Sequence, residues 1–153
     1  NRVTHSSART LSEIQGLAIR GRSLNMERWT APEIRSLNDE LKALNPDTAA
    51  KLYLTTDTTQ FPWRLRATII QKALAAETIS GNGPIRPLIK ETAKAYASHE
   101  PANASKWAMS FPHVDLRIFA AGFVAAEWKK QSPEEAKTWV LTLPKPLQMR
   151  FGY

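Results

Sequence analysis

Apolar residues recur along this chain at intervals of three and four, and nowhere alternate with polar ones for long enough to make a strand. Ile34, Leu37, Leu41 and Leu44 trace one helical stripe behind Thr30-Ala31-Pro32-Glu33. That tetrapeptide is a capping box: the threonine can accept from the Glu33 N–H while the glutamate reaches back. Asn45-Pro46 stops this helix and opens another, with Ala49, Leu52 and Tyr53 on its apolar side. A threonine-rich linker, Thr55 to Gln60, follows. Leu65, Ile69, Ala73 and Leu74 then predict a longer helix from Trp63 to about Ile79. Gly81-Asn82-Gly83-Pro84 is the clearest break in the chain.

Beyond the break, Ile85, Leu88, Ile89, Thr92, Ala93 and Tyr96 form a second long stripe. Pro101 opens a short helix that Phe111-Pro112 closes. Leu116, Phe119, Ala120, Phe123, Val124 and Trp128 mark the next helix. Ser132-Pro133-Glu134-Glu135 reads as a second capping box, and Leu143-Pro144 ends its helix. Before residue 30 the pattern is thinner. Leu11, Ile14, Leu17 and Ala18 predict a short helix ended by Gly21, preceded by a basic arm with Arg2 and Arg9. The chain therefore divides into an N-terminal arm with a short helix, 1–29, and an α-helical domain, 30–153.

Two of these helical segments repeat each other. Pro101, Ala104, Trp107 and Pro112 recur as Pro133, Ala136, Trp139 and Pro144, all at a spacing of 32 residues, and Tyr96 recurs as Trp128. A fixed period in this range is the mark of stacked helix pairs, since one pair cannot cover its own apolar face. Pro46, Ala49 and Leu52, with Phe61-Pro62 beyond them, echo the pattern in degraded form. The expected fold is all-α: a short, right-handed, solenoid-like stack of antiparallel helix pairs, six or seven helices in number. Tyr96, Trp107, Trp128 and Trp139 fall on the apolar stripes and are assigned to the repeat core.

The pattern resembles an uncharacterised family of bacterial α-helical tandem repeats, found in planctomycete and verrucomicrobial genomes. Its units read approximately Trp-Ala-x-x-Asp-Pro-x-x-Ala-x-x-Trp-x-x-x-Leu-Pro. Trp128 to Pro144 follows this with Ser132 in the aspartate place. Tyr96 to Pro112 follows it with Tyr96 for the first tryptophan and Glu100 for the aspartate. The resemblance implies a fold and carries no activity.

Composition narrows the chemistry. The 153 residues suffice for a real core, and the absence of cysteine excludes disulfides, thiolate metal sites and a cysteine nucleophile. No serine sits in a Gly-x-Ser-x-Gly elbow, and no lysine-serine follows Gly81-Asn82-Gly83 as a phosphate loop requires. His5, His99 and His113 are scattered; His113 with Asp115 supplies two metal ligands at most. No catalytic residue, metal or cofactor is assigned. The longest apolar run, Ile118 to Ala126, is too short to span a bilayer. The chain opens at Asn1 rather than methionine, so a processed product is expected, with export or a place in the cell envelope.

The net charge of +7 is spread along the chain without a block of five like charges. One series stands out. Arg66, Arg117 and Arg150 each follow an apolar residue shortly after a helix-ending proline, so stacking could align them as a row for carboxylates or phosphates. The competing role is to satisfy carbonyls at the end of the preceding helix. The sequence thus points first to a non-enzymatic binding or scaffold module that engages a protein partner, as a subunit of a larger assembly with the arm as its tether. The alternative is a nucleic-acid or anionic-surface binder using the arginine row.

Overall fold

The computed structural model describes residues 30–153, so the expected arm and short helix at 1–29 lie outside the described residues. Among the described residues the chain is all-α, with eight α-helices, one short 3₁₀ turn and no strand. The chain divides into two compact units at Ser80/Gly81, within the Gly81–Pro84 stretch that the sequence marks as its strongest break. Gly83 has φ +87°, a backbone conformation that favours glycine.

In the first unit, α1 (Ala31–Lys42) begins with the capping box read from the sequence. The Glu33 N–H donates to Thr30 Oγ1 at 3.3 Å and the Thr30 N–H donates to Glu33 Oε1 at 3.0 Å. Helix α2 (Pro46–Thr55) is capped by Asn45, whose Oδ1 accepts from the Thr48 N–H at 2.8 Å. A 3₁₀ turn (Thr58–Gln60) leads to α3 (Trp63–Leu74), against which both α1 and α2 pack. Leu37, Leu41, Leu52, Phe61, Leu65 and Ile69 form the core, with Ile34, Leu44 and Tyr53 partly buried against it. The Thr68 hydroxyl donates to Asn38 Oδ1, joining α3 to α1 at the edge of this core.

Helix α3 ends five residues earlier than the periodicity suggests. After Leu74 the N–H groups of Ala75, Ala76 and Ile79 each turn back to the carbonyl three residues earlier. These tight turns bury Ala76 and Ile79 without further helix. Burial of Ile79 is what the apolar spacing recorded; tertiary contact decided the backbone.

The second unit comprises α4 (Ile85–His99), α5 (Pro101–Met109), α6 (Val114–Gln131), α7 (Pro133–Val140) and α8 (Lys145–Arg150). Helix α6 packs on α4, α5 and α7, and α4 packs on α5. Leu88, Ile89, Thr92 and Ala93 of α4, with Leu116, Ala120, Ala121 and Val124 of α6, are buried. The eight helices exceed the expected six or seven, and the last of them, Lys145–Arg150, is a single short helix with Pro146 in its first turn.

The 32-residue period has the same local structure twice. Glu100 (φ −141°, ψ 73°) and Ser132 (φ −151°, ψ 86°) each make a one-residue corner between a long helix and a short one. Their N–H groups close the long helix on the carbonyls of Tyr96 and Trp128, both at 2.7 Å. Their own carbonyls then accept from Ala104 and Ala136, the first interior bonds of the short helices. Proline at the next position has no N–H to waste and cannot continue the long helix. Ala104 and Ala136, both at 0% exposure, let the short helix approach closely.

One expectation is corrected here. Ser132 makes no side-chain cap, so the second capping box does not form. Its backbone serves two helices at once, and Glu135 instead accepts from the Trp128 indole N–H at 3.3 Å.

Two stability predictions follow from the first unit. Thr30→Ala removes the side-chain half of the capping box and is expected to cost about 1 kcal/mol in urea denaturation. Burial pushes the Tyr53 phenol above its ordinary pKa, because the phenolate is poorly solvated there. The unfolded phenol therefore ionises first, and stability falls as pH rises from about 10. Tyr53→Phe is expected to flatten that loss in urea titrations between neutral and alkaline pH; an unchanged slope would contradict it.

Candidate functional site

The four aromatics assigned to the repeat form two equivalent pairs. Tyr96 meets Trp107 with ring centroids 5.5 Å apart, and Trp128 stacks on Trp139 at 5.7 Å. Each pair joins the end of a long helix to the following short one across the corner. Trp107 and Trp128 are buried, while Tyr96 and Trp139 are half-buried. Phe111 extends the first pair, edge-on to Trp107 at 4.8 Å. Such contacts add about 0.5–1.5 kcal/mol beyond their buried area.

Of the three arginines, Arg66 belongs to the first unit and Arg117 and Arg150 to the second. Arg66 is half-buried on α3 in the first unit. Arg117, in the first turn of α6, donates from Nη1 to the Phe111 carbonyl at 3.3 Å. It thus satisfies the backbone just past the end of α5, the structural role weighed against ligand binding. Arg150, exposed at the end of α8, enters a cleft that Arg117 does not line.

That cleft lies in the second unit, along the outer side of α6. It encloses about 890 Å³, within the range of about 300–1,000 Å³ typical of ligand sites, and lies open along one side. Its floor is the outer face of α6: Ile118, Phe119, Gly122, Phe123, Ala125 and Ala126. Phe151, Gly152 and Tyr153, following α8, form the far wall. Arg86, Lys129 and Arg150 stand around it against one carboxylate, Asp115.

Helix α6 builds this floor because it is apolar on both sides. Leu116, Ala120, Val124 and Trp128 face the core, and the remaining apolar residues must face elsewhere. Phe119 and Phe123, one turn apart, meet edge to face with centroids 5.1 Å apart. The Arg86 guanidinium carbon lies 5.0 Å over Phe119, while its Nε donates to the Gly81 carbonyl at 3.0 Å. Lys90 Nζ lies 5.7 Å from the Phe123 ring centre and Lys129 Nζ 5.5 Å from that of Tyr153. Cations over ring faces at such distances contribute about 0.5–1 kcal/mol each when exposed. The result is an aromatic trough with a positive edge.

Periodicity placed Phe119 and Phe123 on the inward stripe with Ala120 and Val124, so the sequence reading missed the cleft. The available signal was the Ile118–Ala126 run itself. Nine residues with no charge leave a helix no solvent face.

Among the described residues, no group of three or more His, Asp or Glu side chains could hold a metal ion, and no helix is long and apolar enough to cross a membrane. His99 Nδ1 lies 2.8 Å from the Ala95 carbonyl, within its own helix. His113 precedes α6, and His5 lies outside the described residues. No protein-family model, curated relative or solved structure matches the chain.

The roles of Arg117 and Arg150 separate by measurement. Arg117→Ala leaves the Phe111 carbonyl without its charged donor and is expected to cost about 1–3 kcal/mol of stability. Arg150→Ala is expected to change stability by less than about 0.5 kcal/mol, as exposed substitutions do. Chemical denaturation of both variants checks the contrast.

Proposed function

We propose that this protein is a non-enzymatic helical-repeat module that binds a protein partner through the cleft on α6, as a piece of a larger assembly. The observation that carries the reading is the aromatic, positively edged cleft. A surface of this kind, rich in aromatic and arginine side chains, has the composition of a protein-recognition hot spot. It needs no reacting group to function.

The duplicated corner and aromatic pair support a further part of the proposal. The second unit is two successive repeats of a short solenoid, each a helix pair, with α8 opening a third. In solenoids each repeat packs its apolar face on the next, and the cleft lies on the α6 face that such packing would cover. The kinship with bacterial helical tandem repeats belongs to the same proposal, and rests on Tyr96 to Pro112 and Trp128 to Pro144.

The test is capture of partners with the wild-type chain beside Ala126→Glu. Ala126 is exposed on the cleft floor, so the substitution adds bulk and negative charge without entering the core. Bound proteins are expected to fall by at least about tenfold, as when an interface hot spot is lost. Helicity by circular dichroism should stay unchanged. Equal recovery from both chains would remove the cleft from the interface.

A further inference from the structure

An asparagine followed by glycine lets a backbone nitrogen attack the preceding side chain, because glycine puts no Cβ beside that nitrogen. The chain holds this pair once, at Asn82-Gly83. The loop before α4 displays it. Asn82, Gly83 and Pro84 are exposed, and a Cβ on Gly83 would meet nothing within 4 Å. Among the described residues, nothing accepts a hydrogen bond from the Gly83 N–H. The chain on either side is held. The Arg86 N–H donates to the Gly83 carbonyl at 3.1 Å, and Arg86 Nε donates to the Gly81 carbonyl at 3.0 Å. Arg86 thus brackets the pair and leaves the nitrogen between its two bonds unengaged.

The other asparagines of the described residues are placed differently. Asn38 lies inside α1, where the next N–H belongs to the helical ladder, and its own Oδ1 accepts from the Thr68 hydroxyl. Asn45 caps α2 and precedes Pro46, which has no N–H. Asn103 lies in α5 before Ala104, whose N–H donates to the Glu100 carbonyl at 2.8 Å. At each of these the nucleophile is missing or already bonded.

We propose that Asn82-Gly83 is a site of self-modification in the folded protein, where the Gly83 nitrogen displaces ammonia from the Asn82 side chain and water then leaves a carboxylate at position 82. The Gly83 N–H gives up its proton and the nitrogen bonds to Asn82 Cγ. The side-chain nitrogen takes up a proton and departs as ammonia, closing a five-membered succinimide. Water then adds to one of the two ring carbonyls. Breaking the bond from Gly83 N to Cγ restores the ordinary backbone as aspartate. Breaking the bond to the main-chain carbonyl instead gives isoaspartate, whose backbone runs through Cβ and Cγ. Water is the only other reactant, and the reaction is independent of the proposed binding role.

Either product lowers the net charge of +7 by one. The two differ at Arg86. Aspartate keeps the backbone length between the Gly81 and Gly83 carbonyls, so both Arg86 bonds stay in place. Isoaspartate adds one carbon between them, and the two bonds no longer span the same length of chain. Because the Nε bond helps hold the guanidinium over Phe119, its loss loosens the start of α4 against α6.

The test ages the full chain at mildly alkaline pH, in native buffer and in concentrated urea, and follows each asparagine by peptide mapping with mass spectrometry. Asn82 is expected to convert at rates within about threefold in the two conditions, as for a segment that opens at almost no free energy. Asn38 and Asn103 are expected to convert at least about tenfold more slowly in buffer than in urea, since their neighbouring N–H groups must first be released. Gly83→Ala is expected to slow conversion at position 82 in urea, where a folding defect has no bearing. The isoaspartyl chain is expected to unfold at a lower urea midpoint than Asn82→Asp. Conversion of Asn82 at least about tenfold slower in buffer than in urea would show that the fold protects it, and would overturn the site. Aspartate as the sole product would overturn the cyclic route. Equal midpoints for the isoaspartyl chain and Asn82→Asp would overturn the loss of the Arg86 bracket.

Discussion

Covering α6 on all sides is the constraint from which the second unit follows. Each fully exposed leucine- or phenylalanine-sized side chain forgoes about 1.5–3 kcal/mol of burial. A helix with Leu116, Ala120 and Val124 on one side and Ile118, Phe119 and Phe123 on the other therefore needs neighbours all round. Helices α4, α5 and α7 supply the inner cover. The basic side chains of α4 complete part of the outer one, laying their methylene stems and charges over the phenylalanine rings. What remains uncovered is the cleft. Core and candidate interface are thus two halves of the same hydrophobic requirement.

The corners are the local device that meets it. A single residue at Glu100 and at Ser132 closes one helix and opens the next, so long and short helices meet at once with no loop between them. The aromatic pair across each corner then locks the short helix down. Small alanines at 104 and 136 set the approach distance, and the bulky rings at 96/107 and 128/139 fill the wedge beyond. Proline, alanine and tryptophan recur in the sequence because each answers a separate demand of this one joint: no N–H to satisfy, no bulk, and maximal apolar area.

That is also why so much of the fold was legible and the site was not. The helix starts at Thr30, Asn45 and Pro101 and the break at Gly81–Pro84 are written in residues whose preferences are local, and the structure carries them out. Ser132 departs because its local preference for capping is overridden by a corner that needs its backbone. The end of α3 departs because Ile79 is buried from a turn. The cleft was hidden because spacing identifies an apolar stripe but cannot say that a helix has two, one for the core and one for something else. For the arginines, sequence offered one position and two roles; the Phe111 carbonyl decides for Arg117, and only Arg150 reaches the cleft.

The one-residue corner has an energetic consequence as well. Because it leaves almost no chain between two packed helices, each joint closes at little cost in loop-closure entropy. Elements of one unit open at different free energies, and those with few buried contacts open first. Helix α8 has no fully buried residue, unlike the other helices of the unit. Amide hydrogen exchange would register it as the first segment to open and, once the cleft is filled, as the one whose protection rises most.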